Sequence, residues 1–197
     1  MRSFYIWFPL LVTLVIGLAV AIFEGALRRS TNRKSSKEST DDKGTTTGVA
    51  VAFVVCWLAI LLSILLNRLG IGTINPHWIL NVIGGALMLA GIFVRVVSAR
   101  TLGRFYSRTL TTENDQHLVT SGLYGFVRHP GYLGTITLFI GSGIAVDNLI
   151  TILLVLVVIL PAYARRINVE ERMLEKVFGQ EFTQYRARTR KLIPLVF

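Results

Sequence analysis

Residues 131–178 read GYLGTITLFIGSGIAV-DN-LITILLVLVVILPAYARRINVEERMLEKVF, two apolar runs parted only by Asp147-Asn148, with no other charge before Arg165. A bilayer core of about 30 Å takes roughly 20 apolar residues to cross as a helix, so runs of this kind read as membrane helices. The first covers residues 131–146, and the second starts at Leu149 and continues past Pro161. A two-residue polar break between them predicts a tight helical hairpin. Pro130 suits the first turn of a helix, where its missing N–H costs nothing, and Gly179 suits a helix stop after Phe178.

The same reading extends toward the N-terminus. Residues 4–23 carry no charge and form a first span; Ala19 and Ala21 mimic a signal-peptidase site, but the positive charges follow the apolar run, so it is kept as an anchor. Residues 28–47 are a polar Ser/Thr/Lys linker. A second span runs from Gly48 to Leu66, and a third from Trp78, an interfacial anchor, to Val94, with Gly84, Gly85, Ala86, Ala90 and Gly91 offering close helix packing. Beyond Arg95 the helix can continue, because Arg100, Arg104 and Arg108 recur every fourth residue as one basic stripe; their simplest role is to reach lipid phosphates.

The expected fold class is therefore all-α: a multi-span helical membrane protein of about five transmembrane helices. Residues 1–77 hold two spans and the linker, and residues 78–197 a second region with the remaining three. Hydrophobic residues make up 52% of the 197 and charged residues only 16%, which excludes an ordinary soluble domain. The formal charge of +10 belongs beside membrane spans and anionic lipid rather than on nucleic acid. With five spans and an external N-terminus, 19 of the 21 basic residues fall in internal segments, leaving out only Arg2 and Arg68. This puts the 95–130 segment and the C-terminal tail on one cytoplasmic face. Cys56 is the one cysteine; it excludes internal disulfides and reads as a small buried apolar residue.

Two constellations on that face invite chemistry. One is residues 116–134, polar, ring-rich and punctuated by glycine, with Arg128 and His129 at the mouth of the Pro130 helix. By itself it also reads as a basic interfacial loop. The other lies on the tail helix, where a helical wheel puts Glu170 at the centre of an arc made by Arg166, Ile167, Met173, Leu174 and Val177. Asn168, Glu171, Arg172 and Glu175 fall on the opposite, solvated side. A carboxylate on an apolar face is costly unless paired, so Arg166 and Glu170 either form a structural pair or face a ligand.

Several common engines are missing: no phosphate loop, no Gly-x-Gly-x-x-Gly, no His-Glu-x-x-His and no Gly-x-Ser-x-Gly occurs. His77 falls on the far face, and His117 and His129 with scattered carboxylates make no metal site. Leu118-Val119-Thr120-Ser121-Gly122-Leu123-Tyr124, Arg128-His129-Pro130-Gly131-Tyr132-Leu133-Gly134, Glu170-Glu171 and Phe178-Gly179-Gln180-Glu181-Phe182 with Tyr185 closely resemble the isoprenylcysteine carboxyl methyltransferases. These are multi-span membrane enzymes that use S-adenosylmethionine and release S-adenosylhomocysteine. The resemblance covers roughly residues 85–197; the first two spans contribute nothing to it.

The resemblance implies a cytoplasmic cofactor site built by the segment between spans three and four and by the C-terminal helix. It places cofactor contacts on Gln116, His117, Leu118, Val119, Tyr124, His129, Pro130, Gly131, Tyr132 and Glu170. It places the substrate carboxylate on Arg166, with Arg95 as a second basic position, so that Arg166, Arg95 and Glu170 are the expected catalytic set. Relatives often have a histidine one place before His117 and a serine at Gly131. The implied partners are a prenylated cysteine entering from the lipid phase and the membrane lipids themselves. The implied location is the endoplasmic reticulum in a eukaryote or the cell membrane in a prokaryote. Rival readings are a phospholipid-amine or small-thiol methyltransferase on the same scaffold, a nicotinamide-dependent membrane reductase, and a basic membrane scaffold without catalysis.

Overall fold

A computed structural model describes residues 11, 14, 17, 18, 44–74, 78–103 and 118–192. Five helices follow in order: α1 (Thr45–Arg68), α2 (Trp78–Leu102), α3 (Pro130–Ala145), α4 (Leu149–Phe178) and α5 (Gln180–Arg188), with a short 3-10 turn at Gly122–Gly125. Three of them, α1, α2 and α4, are long and apolar enough to cross a membrane. At 16 residues α3 is shorter, about 24 Å at 1.5 Å per residue, and ten of its residues are buried. Of the first expected span only Leu11, Leu14, Gly17 and Leu18 are described, and they are helical. The linker expected over 28–47 is described only from Gly44, and there it is corrected: α1 begins at Thr45, after Gly44 turns the chain at φ 71°. Arg104 and Arg108 lie outside the described residues; Arg100 is exposed in the last turn of α2, which runs eight residues past Val94.

Small residues bring two helices into close contact. Along antiparallel α2 and α3, Gly84 faces Gly141 and Gly91 faces Gly134. A Cβ on Gly91 would lie 2.5 Å from the Gly134 carbonyl oxygen, and one on Gly141 would lie 2.7 Å from that of Gly84. Of the small residues expected to pack closely, Gly84 and Gly91 do so, whereas Ala86 and Ala90 are exposed and a Cβ on Gly85 meets nothing within 4 Å among the described residues. Gly91→Ala is therefore expected to destabilise the protein by about 1–3 kcal/mol through forced separation of the helices. Gly85→Ala meets nothing within 4 Å and serves as the neutral control. Thermal unfolding of the two variants in detergent measures the difference.

α4 packs across the other side of α3 and along α1. Phe139 (1% exposed) sits at the centre, with Cys56, Ile60, Val155, Ile159 and Tyr163 around it, and the Phe53 ring meets it edge-on at 4.9 Å. Outward, Val51, Val54, Leu58, Leu89, Phe93, Leu153, Val157 and Leu160 are exposed, the apolar exterior expected of helices facing lipid.

The α3–α4 turn falls at Asp147-Asn148, where the sequence places it. Asn148 caps α4, its side chain accepting from the Thr151 N–H at 3.1 Å, and donates to Asn67 at 2.7 Å. Asn81 of α2 donates to Asp147 at 2.7 Å, while Asn67 donates to the Val146 carbonyl at 2.8 Å. Burial raises the Asp147 carboxyl above the usual range, and the Asn81 hydrogen bond lowers it part of the way back. This amide latch ties α1 and α2 to the α3–α4 turn at one end and leaves the opposite end for the polar groups described next.

Candidate active site

At that opposite end the chain before α3 lies alongside the chain after α5. Val127 and Arg190 form an isolated parallel bridge, the Arg128 N–H donates to the Arg190 carbonyl at 2.8 Å, and the Arg190 N–H donates to Phe126 at 3.1 Å. Buried Phe182 and Tyr185 fix α5 beneath this pairing, and the Tyr185 hydroxyl donates to the Tyr124 carbonyl at 2.7 Å. Burial pushes that hydroxyl up to about 12, so it remains a donor at every physiological pH.

Pro130 opens α3 and leaves His129 as the residue before the helix, 4% exposed. Its ring stacks on Tyr132, centroids 5.6 Å apart and planes 7° off parallel; Tyr163 lies on α4, 5.0 Å from Tyr132. The Tyr132 hydroxyl donates to Glu170 at 2.5 Å and accepts from the Arg166 Nε at 2.8 Å. Arg166 is 4% exposed, while the Glu170 side chain keeps 25% of its surface and lies 3.9 Å from His129 Nδ1. The structure thus joins Arg166 and Glu170 through Tyr132, which makes a buried guanidinium and a reachable carboxylate neighbours.

Glu171 corrects the helical wheel, which put it on the solvated side. It is 7% exposed; its Oε1 accepts from Arg128 Nε at 2.8 Å and lies 3.2 Å from His129 Nε2, and its Oε2 is 3.7 Å from Lys191 Nζ. The wheel allows α4 one packed face, whereas the paired 126–129 and 189–191 segments cover a second. Arg128 also donates to the Thr189 carbonyl at 2.5 Å, so this ion cluster binds the tail to the entrance of α3. Val177, placed on the apolar arc, is 47% exposed, because the last turn of α4 extends past its packing partners.

Arg95 donates to Thr135 Oγ1 and, at 3.4 Å, to the Gly131 carbonyl. Gly131 and Thr135 lie one turn apart on α3 and Tyr132 about 100° around it, so Arg95 and Arg166 approach α3 from different sides. Among the described residues a Cβ on Gly131 would meet only Ser98, at 3.8 Å, so there is room for the Cβ of a serine. Leu118 and Val119 are half-buried in irregular chain, and Tyr124 (8% exposed) sits in the 3-10 turn below them. Gln116 and His117 lie outside the described residues. Sequence reasoning did not count Glu171, Arg128, Lys191, Thr45 or Thr46 among the site residues; the adjacent pairs Arg128-His129 and Glu170-Glu171 were the available signal for the first two.

The sequence profile of the phospholipid methyltransferase family matches residues 79–181, a segment that contains α2, α3, α4 and the whole Tyr132 cluster. Protein-S-isoprenylcysteine O-methyltransferase B of Arabidopsis thaliana is 29% identical over 125 residues, 62% of this chain and 64% of that protein. Protein-S-isoprenylcysteine O-methyltransferase of Saccharomyces cerevisiae is 31% identical over 117 residues, 58% of this chain and 49% of that one. Among solved structures, a eukaryotic intramembrane Ras methyltransferase (isoprenylcysteine carboxyl methyltransferase) superposes with a TM-score of 0.58 at 26% identity, covering 77% of this chain and 52% of that one. The chain thus spans less than two thirds of the length of these relatives.

Proposed function

From the premise that this chain belongs to the phospholipid methyltransferase family, we propose that it transfers a methyl group from S-adenosylmethionine to the C-terminal carboxylate of an isoprenylated cysteine. The observation that carries the reading is a buried arginine, Arg166, held by hydroxyls beside a reachable carboxylate, Glu170. The names of the isoprenylcysteine methyltransferases to which the chain is similar support the same acceptor.

The residues present fit the cofactor. Glu170 can accept from hydroxyl or ammonium groups and the stacked His129 and Tyr132 rings give a flat wall; Leu118, Val119 and Tyr124, half-buried to buried, would supply the remaining contacts that the resemblance implies. When bound, S-adenosylmethionine supplies an activated, cationic methyl group. A carboxylate is already ionised at neutral pH, so its methylation requires no general base; alignment and partial removal of water suffice. Opposite charges are annihilated as the methyl moves, and a low-dielectric boundary favours that step. Arg166 orients the acceptor by one or two hydrogen bonds, since a fully buried salt bridge would blunt the nucleophile. Arg95 reinforces the positive potential from the far side of α3.

The fuller membrane picture belongs to the same proposal. Five crossings, counting residues 4–23 and α3, place the Tyr132 cluster at the cytoplasmic face, with residues 1–77 as membrane framework and 78–197 as the transferring region. The prenyl chain reaches it from the lipid phase, in the endoplasmic reticulum or, in a prokaryote, the cell membrane. A phospholipid-amine acceptor would want a base, and His129 is the candidate. Both its ring nitrogens face carboxylates, Nε2 toward Glu171 at 3.2 Å and Nδ1 toward Glu170 at 3.9 Å, an arrangement that favours a structural role. Thermal unfolding with S-adenosylhomocysteine and with a reduced nicotinamide nucleotide tests the cofactor class. Protection by the first alone is expected, since a ligand at a hundred times its Kd adds about 2.7 kcal/mol; protection by the second alone would rule out methyl transfer.

A further inference from the structure

We propose that the N-terminal turn of α1, outside the segment that matches the family profile, is a working part of the acceptor site: Thr46, assisted by Thr45, positions the Arg166 guanidinium. The inference rests on the carboxyl-transfer reading and extends it to a helix that the resemblance leaves idle.

Among the described residues, hydroxyls on two different helices hold the Arg166 guanidinium. Nε donates to the Tyr132 hydroxyl of α3 at 2.8 Å, while Nη1 donates to Thr46 Oγ1 at 3.0 Å and, more weakly, to Thr45 Oγ1 at 3.5 Å. One anchor would leave the plane free to swing about its bond; anchors from two different helices fix it. Each of these three acceptors is a neutral hydroxyl, and the first turn of α1 contains no acidic residue. The positive end of the α1 dipole disfavours the Arg166 cation itself, which the threonine hydroxyls offset, and it favours an arriving anion. Thr45 is 2% exposed, and Gly44, at φ 71°, turns the chain so that the helix can begin with its threonines against Arg166.

Thr46 is thus a positioning residue acting through Arg166, and its loss should be felt on the acceptor side alone. The test uses the full chain in detergent with a farnesylated cysteine as acceptor. Thr46→Val, which keeps the shape and deletes the hydroxyl, should lower kcat/KM for the acceptor about tenfold, the loss of one hydrogen bond to a charged group. Thermal protection by S-adenosylhomocysteine should be unchanged, and Thr46→Ser should restore the rate. Thr46→Ala should repeat the split and guards against misfolding peculiar to valine. Unaltered acceptor kinetics in Thr46→Val overturns the inference, as does an equal loss of acceptor turnover and cofactor-product protection, which would mark a merely structural contact. If the unsubstituted chain neither transfers methyl nor gains protection, the carboxyl-transfer reading itself fails, a result separable from failure of the Thr46 role.

Discussion

Arg166→Ala is expected to lower methyl transfer to a farnesylated cysteine by about a hundredfold or more while the protein still folds and still gains thermal protection from S-adenosylhomocysteine. Charge-assisted hydrogen bonds to a carboxylate contribute about 1.5–3 kcal/mol, and misalignment of the reacting atoms adds to their loss. Lysine should not rescue the variant. A single ammonium cannot meet Tyr132 from Nε and Thr46 from Nη1 and still present an ordered edge to the acceptor. Glu170→Ala should abolish transfer to a similar extent but, unlike Arg166→Ala, should also remove the protection, because Glu170 is assigned to the cofactor side. Steady-state kinetics and thermal shifts on the same preparations separate the two. Retention of normal transfer in Arg166→Ala would remove the acceptor assignment.

Glu171→Ala should damage the fold itself. Glu171 is 7% exposed and faces Arg128 and His129 through one oxygen and Lys191 through the other. Removing one partner of a buried ionic group costs about 3–5 kcal/mol, because the remaining charges keep their desolvation penalty. For a chain of this size that corresponds to a fall in Tm of about 6–20 °C. Glu171→Gln, which keeps the shape and loses the charge, should recover only part of it. The helical wheel alone gives the opposite ranking, with Glu171 milder than Glu170. A Tm within 2–3 °C of the unsubstituted protein would show that the tail is held by α5 and the backbone pairing without the ion cluster.

Local signals in the sequence placed the boundaries of α3 and α4. Pro130 opens α3, Asp147-Asn148 is the turn, Asn148 caps α4, and Gly179 follows its end. Each is decided by residues adjacent in the chain: a missing N–H, a side-chain cap, a glycine. Gly84 and Gly91 of α2 were legible as packing positions, but not apart from Gly85, Ala86 and Ala90, and their partners Gly141 and Gly134 emerge only in three dimensions. Arg166 and Glu170 were legible because a charge within an apolar periodicity is conspicuous. Glu171 was not, since its burial comes from residues 189–191 returning to lie beside 126–129, a pairing without periodic signature. Thr45 and Thr46 read as the end of a polar linker; their contact with Arg166, 120 residues from Thr46 in the chain, emerges only in three dimensions.

The carboxyl-transfer account is tested most directly by following labelled methyl from S-adenosylmethionine into a panel of acceptors: a farnesylated cysteine, its geranylgeranyl counterpart, phosphatidylethanolamine and a simple thiol. It predicts label in the prenylated cysteines, released by mild alkali as expected of a methyl ester, and lost in Arg166→Ala. Alkali-stable label in phosphatidylethanolamine or the thiol, with none in the prenylated cysteines, would contradict it.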